Sequence, residues 1–395
     1  MNFCDIYNNN GNNKVGEKML QIEKIFEKVT PKNHSIDGYT NNKIRIKDNT
    51  FSIKSIYKIA EHLKWMKEGI KTCDTKILID SDYIAGQAIL TLMESIIYFV
   101  MNEWNFKVMY RFSIKDNVLG YQIFKNSILF KYNNKKISIE DYNTEYNQQI
   151  TVDMDHFRKL CRNNEENRKG KFISITMDEV DTFLKLFEFD DDYRNELAEV
   201  IVEIVDNALN HSNGDCILNL NVLKNSYHRY KYVDVALVVI DDIFIGKEIM
   251  EYIYKENKSE YSEKNKIVLE AYEKHKKFFD ETYNIHSFAM ISAFQKYVTT
   301  RKMSYTGGTG LTTLIKALIE KSNHNFCYAI SGDTNMIFIK EFLKLNEEGL
   351  IGFNEENNYK EMPPNKKVVS VNKYDMNINI YNLQFVLKEN EYGRQ

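Results

Sequence analysis

Most of the chain after residue 50 has apolar positions at the spacing of helices or strands. The predicted elements of the first half are a helix at 56–68, a strand at 76–80, a helix at 84–101 and strands at 106–112 and 121–132. Their strand–helix–strand order predicts a βαβ unit. We therefore predict a small α/β domain at 51–165, after a polar extension at 1–50 that contains one amphipathic helix.

The chain changes character after a polar, charged linker at 163–171. The predicted elements beyond it are a helix at 193–211, strands at 216–223 and 233–240, helical segments within 247–300, a helix at 311–321 and strands at 326–331, 336–339, 368–371 and 377–386. They predict a second domain of mixed α/β (α+β) type at 172–345, with closing strands at 346–395.

Composition narrows the function classes. The 395 residues carry a formal net charge of −3, so no basic excess indicates nucleic-acid binding, although the charge alone does not exclude it. Five scattered cysteines form no CxxC pair, which argues against a disulfide framework or zinc ribbon. The apolar segment 84–101 includes Gln87 and Glu94, so we predict a buried helix rather than a membrane span. The N-terminus has no apolar signal core, and we expect a cytoplasmic protein.

The helix at 193–211 carries an unusual polar line. Glu199, Glu203, Asn207 and His211 are each four residues apart and therefore lie on one side of the helix. One interpretation is the solvated face of an amphipathic helix. The other is a functional line, because a carboxylate and an amide oxygen could place a proton acceptor beside a Mg²⁺ ligand.

Two further motifs follow along the chain. The strand at 233–240 ends in Asp241 and Asp242, with Gly246 four residues later. An aspartate at a strand end can accept a hydrogen bond from an adenine amino group, but such turns are also common without any ligand. Later, the run Tyr305-Thr-Gly-Gly-Thr-Gly-Leu-Thr-Thr313 leads directly into a helix, in a chain with only 16 glycines. It predicts an anion site, with phosphate as the usual occupant, or alternatively a flexible hinge.

Taken in order, these motifs resemble a known superfamily. ExxxNAxxH, an Asp with a following glycine, GGTGL before a helix, and Ser331-Gly332-Asp333-Thr334 between strands resemble the GHKL ATPases over about residues 172–340. This superfamily contains gyrase, heat-shock chaperones, histidine kinases and MutL. The resemblance implies a Bergerat-fold ATP-binding sandwich with a mobile lid at 247–306. The first half also resembles, more weakly, the STAS-type regulatory fold.

The resemblance also implies roles for individual residues, with ATP and Mg²⁺ as ligands. Glu203 would polarise the attacking water, Asn207 would bind Mg²⁺, and Asp242 or Asp241 would hold the adenine amino group. The other residues that it implies in nucleotide binding are Gly246, Gly308, Thr309, Gly310, Leu311, Thr312, His211 and Arg301. The chain departs from the family pattern at Phe244, which replaces the inner glycine of the first glycine box, and at Thr312, which replaces the last glycine of the second.

Three functions are compatible with this pattern. The first is an ATPase that acts as a nucleotide-driven conformational switch in a cytosolic regulatory or defence system, with a protein partner or as a homodimer. The second is a serine/threonine protein kinase of the anti-sigma-factor type. The third is a nucleotide-binding interaction module that does not hydrolyse ATP.

Overall fold

The structure is a computed structural model of the chain, and it describes residues 22–34, 42–69, 74–114, 118–164, 167, 171–187, 190–224, 231–255, 266–295, 310–322 and 327–387. Within these ranges the protein is a mixed α/β structure with one parallel and one antiparallel sheet of three or more strands. The mixed α/β class predicted from the sequence is therefore confirmed.

The described helices are α1 (Ile53–Gly69), α2 (Gln87–Asn102), α3 (Val118–Lys125), α4 (Ile128–Lys131), α5 (Ile139–Tyr146), α6 (Lys171–Leu184), α7 (Asp191–His211), α8 (Lys247–Tyr254), α9 (Lys266–His275), α10 (Ile285–Ala293) and α11 (Gly310–Lys321). The described strands are β1 (Lys43–Lys47), β2 (Thr50–Phe51), β3 (Asp74–Ser81), β4 (Tyr83–Ile84), β5 (Lys107–Ile114), β6 (Ile150–Val152), β7 (His156–Cys161), β8 (Cys216–Lys224), β9 (Lys231–Ile240), β10 (Tyr328–Ser331), β11 (Thr334–Ile337), β12 (Val369–Val371) and β13 (Ile378–Leu387). Short 3₁₀ helices lie at Ile22–Phe26, Lys276–Phe278 and Lys340–Phe342.

The strands form two main sheets. β1, β3 and β5 make a parallel sheet in that order, and β3, α2 and β5 form the predicted βαβ unit. The larger sheet has the order β12-β11-β10-β13-β9-β8-β7-β6, and all its pairs are antiparallel. It combines strands from all parts of the chain, because β6 and β7 lie in the predicted first domain and β13 lies in the C-terminal segment.

The strand predicted at 121–132 is wrong, because this segment forms α3 and α4. Its buried apolar residues are Ile123, Phe124 and Leu129, a spacing that does not alternate as a half-buried strand requires. Ser127 caps α4 by accepting a hydrogen bond from the backbone N–H of Phe130.

The large sheet is covered on both faces. α7 packs on one face with α6 and α11 beside it, while α2 packs on the other face and also contacts β5 of the small sheet. Side chains alternate along β8 and β9, so Leu218 and Leu237 join the α7 core while Ile217 and Val238 join the α2 core. As predicted for 84–101, α2 is buried along almost its whole length. Among the described helices, none is long and apolar enough to span a membrane.

The α2 side of the large sheet contains a buried polar row. His156, Asn221, Asp234 and Gln384 pair directly across β7, β8, β9 and β13, and all four are buried. Helix α2 presents polar groups toward this side of the sheet: Thr91 Oγ1 accepts a hydrogen bond of 2.7 Å from Asn219 Nδ2. The layers are therefore fixed by directional bonds as well as by apolar contact.

Two buried carboxyl groups in this layer favour the protonated form. Burial raises the pKa of Asp234 to about 7, although Gln384 and the backbone of Gln87 donate hydrogen bonds to it. Burial likewise raises the pKa of Glu94 to about 7, against the opposing effects of Arg158 and the Ile128 backbone N–H. Because the unfolded pKa is about 4, the folded state binds more protons between pH 4 and 7. Stability should therefore fall as pH rises through this range and should level off above it.

We predict that Asp234→Asn weakens this pH dependence, because the amide cannot ionise. At pH 8 the free energy of unfolding of the variant should exceed that of the wild type by up to about 4 kcal/mol. At pH 4 the two free energies should be similar. Urea denaturation from pH 4 to 8 measures this. Asp178→Asn, at an exposed position of α6, is the control. An equally steep pH dependence in Asp234→Asn and the wild type would show that Asp234 ionises normally.

Candidate functional site

Helix α7, which carries the polar line, has a well-defined start. Asp190 caps it by accepting hydrogen bonds of 3.1 Å from the backbone N–H groups of Asp192 and Tyr193. Its apolar face is buried against β8 and β9 in the larger core. On the polar line, Glu199 is exposed, whereas Glu203, Asn207 and His211 are half-buried. Side-chain exposure along the line thus decreases after Glu199, toward the C-terminal end of the helix.

The two central residues of the line interact. Asn207 Nδ2 donates a hydrogen bond to Glu203 Oε1 at 3.5 Å. The amide oxygen of Asn207 therefore points away from the Glu203 carboxylate. One turn further, His211 Nδ1 lies 3.1 Å from Glu248 Oε1 in the first turn of α8. α8 therefore borders the C-terminal end of the line, and His211 makes a link between helices there.

Asp241 and Asp242 differ sharply in environment. The Asp241 side chain is fully buried, and its oxygens accept hydrogen bonds from the backbone N–H groups of Asn213 (2.6 Å) and Asp242 (2.8 Å). It thereby ties the loop after α7 to the end of β9. A Cβ at Gly214 in that loop would lie 2.3 Å from the carbonyl oxygen of Ile240, so only glycine allows this close approach. The Asp242 side chain is 51% exposed, and it is the carboxylate that a ligand can reach.

A lysine from the N-terminal segment joins these aspartates. Lys24 Nζ lies 3.2 Å from Asp241 Oδ1 and 2.5 Å from Asp242 Oδ1. The hydrogen bond from Lys24 lowers the pKa of Asp242 to about 2, so this carboxylate is ionised at neutral pH. Sequence reasoning missed Lys24, because more than 200 residues separate it from the motif and no local pattern marks it.

Side chains from distant strands hold the loop between β9 and α8. Ser331 Oγ accepts a hydrogen bond of 2.7 Å from the backbone N–H of Ile245, and Asn379 Nδ2 donates one of 2.6 Å to the carbonyl oxygen of Ile243. Phe244, where the sequence resemblance predicts a glycine, has its ring 4.7 Å from that of His286. The Phe244 side chain thus packs against α10 and the larger core.

Part of the predicted lid packs in the core. Buried residues of α8, α9 and α10 belong to the α7 core, and six consecutive residues of α10, Ser287–Ser292, are buried. A Cβ at Gly246 would lie 2.5 Å from the carbonyl group of Ala289, so α8 and α10 are in backbone contact at this point. α10 therefore packs in the larger core.

Helix α11 begins at Gly310, the last glycine of the Gly307–Gly310 run. It packs along α7, and its last residue, Lys321, pairs with Glu196 near the start of α7. The two helices therefore run antiparallel. Gly310 is eleven residues before Lys321, and Asn207 is eleven residues after Glu196. Because both helices rise about 1.5 Å per residue, we infer from this equal spacing that the N-terminus of α11 lies near the level of Asn207.

Several predicted binding residues fall outside the description. Gly308, Thr309 and Arg301 lie outside the described residues, as do the side chains of Leu311 and Thr312. Within the described ranges, no group of three or more His, Cys, Asp or Glu residues could hold a metal ion. A magnesium site at Asn207 would therefore depend on an amide oxygen, with oxygens of substrate and water as further ligands.

Comparison with known proteins identifies no relative. No family model, no curated protein and no solved structure matches this chain.

We predict that Gly246→Ala destabilises the protein by about 2–4 kcal/mol. Gly246 has φ +91° at the start of α8, and its missing Cβ would overlap the backbone of α10. Gly69→Ala is the matched control, since Gly69 ends α1 and an added Cβ there would meet no packing neighbour within 4 Å. Chemical denaturation should show little change or a small gain in the control. Equal midpoints for the two variants would contradict the close packing of α8 on α10.

Proposed function

We propose that this protein is a GHKL-type ATPase that binds Mg-ATP and acts as a nucleotide-driven conformational switch in a cytosolic regulatory or defence system. One arrangement carries the proposal: the Glu203–Asn207 pair lies at the level of the α11 N-terminus, and the Asp241–Asp242 pair lies just beyond the C-terminal end of α7. The interaction of Asn213 with Asp241 joins these two parts.

The arrangement suggests a division of labour along α7. The N-terminus of α11, at the level of Asn207, carries the positive end of a helix dipole, which suits phosphate. Beside it, the amide oxygen of Asn207 is a suitable ligand for Mg²⁺, which would neutralise phosphate charge. Beyond the C-terminal end of α7, the exposed carboxylate of Asp242 suits an amino group of a base.

Glu203 suits the role of proton acceptor. It is half-buried and next to Asn207, so a water molecule oriented beside the phosphates could donate a hydrogen bond to its carboxylate. Little other protein chemistry is needed, because phosphoryl transfer depends mainly on positioning and on neutralising charge. The four polar residues of the line on α7 are compatible with such a site.

A switch also requires a route from the site to the rest of the molecule. β9 ends at Ile240, directly before Asp241, and earlier in the same strand Asp234 and Val238 face α2 and the N-terminal layer. Lys24 contacts the end of the strand directly. A ligand that changes the position of the β9 end would therefore act on groups that belong to the N-terminal half, and this supports a regulatory role.

We predict that Glu203→Ala binds ATP but loses hydrolysis by a factor of about 10² or more. Asn207→Ala should weaken binding that depends on Mg²⁺. Glu199→Ala, one turn earlier on the same line and exposed, is the matched control and should behave as the wild type. Calorimetry measures binding, and phosphate release from γ-labelled ATP measures hydrolysis.

The same labelled nucleotide distinguishes the other functions. Label retained on protein would support a kinase of the anti-sigma type. Binding without phosphate release or transfer would support an interaction module. If the wild-type protein binds no nucleotide, and Asn207→Ala changes nothing, the GHKL interpretation is wrong.

A further inference from the structure

The N-terminal 3₁₀ helix is firmly attached to the rest of the protein. Ile22, Ile25 and Phe26 are buried in the α2 core, and the Phe26 ring lies 4.5 Å from that of Trp104. Lys64 Nζ donates to the carbonyl oxygen of Phe26 at 2.8 Å. These contacts fix the backbone on either side of Lys24.

Polar contacts attach the same segment beside the end of β9. Glu27 Oε2 accepts a hydrogen bond of 2.9 Å from Asn377 Nδ2, and Lys28 pairs with Asp375 at 2.9 Å. The carbonyl oxygen of Asn377 accepts in turn from the backbone N–H of Asp241. The contacts on both sides of Lys24 therefore fix its backbone position, as expected for a residue of a binding site.

Lys24 and Asp242 together present one donor and one acceptor. An ammonium group has three N–H donors, and Asp241 and Asp242 accept two of them. The Lys24 side chain is 22% exposed, so its third donor can reach a ligand beside the more exposed Asp242. Asn377, whose carbonyl oxygen accepts from the backbone N–H of Asp241, is 3% exposed, so the backbone beside the Lys24–Asp242 pair is held in the interior.

We propose that Lys24 is a base-recognition residue that donates to N1 of adenine, while Asp242 accepts from the neighbouring 6-amino group. This inference rests on the proposed function and deepens it. The Watson–Crick edge of adenine has a donor and an acceptor side by side, which is the complement of the Asp242–Lys24 pair. The order is reversed in guanine, because its O6 accepts and its N1 donates a hydrogen bond. Guanine would therefore need the donor and the acceptor of the protein in exchanged positions.

The test compares three nucleotides on the wild-type protein by calorimetry with Mg²⁺ present. These are ATP, 1-deaza-ATP, in which a C–H group replaces N1, and GTP. We expect 1-deaza-ATP and GTP to bind about tenfold or more weakly than ATP, because a hydrogen bond from a charged donor is lost or opposed. This comparison needs no variant, so a folding defect cannot obscure it.

A variant pair then assigns the effect to Lys24. Lys24→Met should bind ATP about tenfold more weakly and should no longer distinguish it from 1-deaza-ATP. Lys28→Met is the matched control, since Lys28 lies in the same segment but pairs with Asp375, and it should keep the discrimination. Circular dichroism of both variants shows whether they are folded.

The outcomes separate this inference from the proposed function. Equal affinity of the wild type for ATP and 1-deaza-ATP would overturn the role of Lys24 and leave ATP binding intact. Tighter ATP binding by Lys24→Met would show that Lys24 blocks the base, and tighter binding of GTP would reverse the assigned base; either result overturns the inference. Failure of the wild type to bind any of the three overturns the proposed function, and the inference with it.

Discussion

Helix α2 must be covered on nearly every side, because 14 of its 16 residues are buried and most of them are apolar. A single sheet can cover only one side of such a helix. The small parallel sheet and the large antiparallel sheet therefore both pack against α2, and the N-terminal half of the chain is fixed to the back of the large sheet. The other side of that sheet remains for α7, whose polar line forms the candidate site.

This layering also explains how the first residues of the chain reach a motif in its middle. The 3₁₀ helix at Ile22–Phe26 fills the α2 core at the end of β9, so Lys24 lies beside Asp241 as a consequence of hydrophobic packing. The pairing then stabilises two neighbouring carboxylates that would otherwise repel each other. In this way, a structural layer contributes a charge to the site on the opposite side of the sheet.

The sequence predicted the elements whose signal is local. α2, α7, β8 and β9 have long apolar patterns, and the structure has them close to the predicted bounds. β7 escaped prediction because its six residues, His-Phe-Arg-Lys-Leu-Cys, include three polar ones that are nevertheless buried. Their burial depends on partners in other elements. For example, Lys159 of β7 pairs with the carboxylate of Glu179 on α6. The line on α7 was visible in the sequence, whereas the Lys24 contact depends on the packing of the two halves.

Phe244 stands where the GHKL resemblance predicts a glycine, and the tertiary structure shows how the loop around it is held. A glycine is needed where a side chain would block the backbone or the ligand, and two observations show how the loop at 243–246 is shaped without it. Ser331 and Asn379 bind its backbone from β10 and β13, and the Phe244 ring packs beside His286. His286 also pairs with Asp333 at 3.5 Å, and the pKa of Asp333 is lowered, because hydrogen bonds from His286 and Thr334 outweigh the effect of burial. Long-range hydrogen bonds from β10 and β13 thus hold the loop around Phe244, so a departure from a motif has to be judged by the contacts around it.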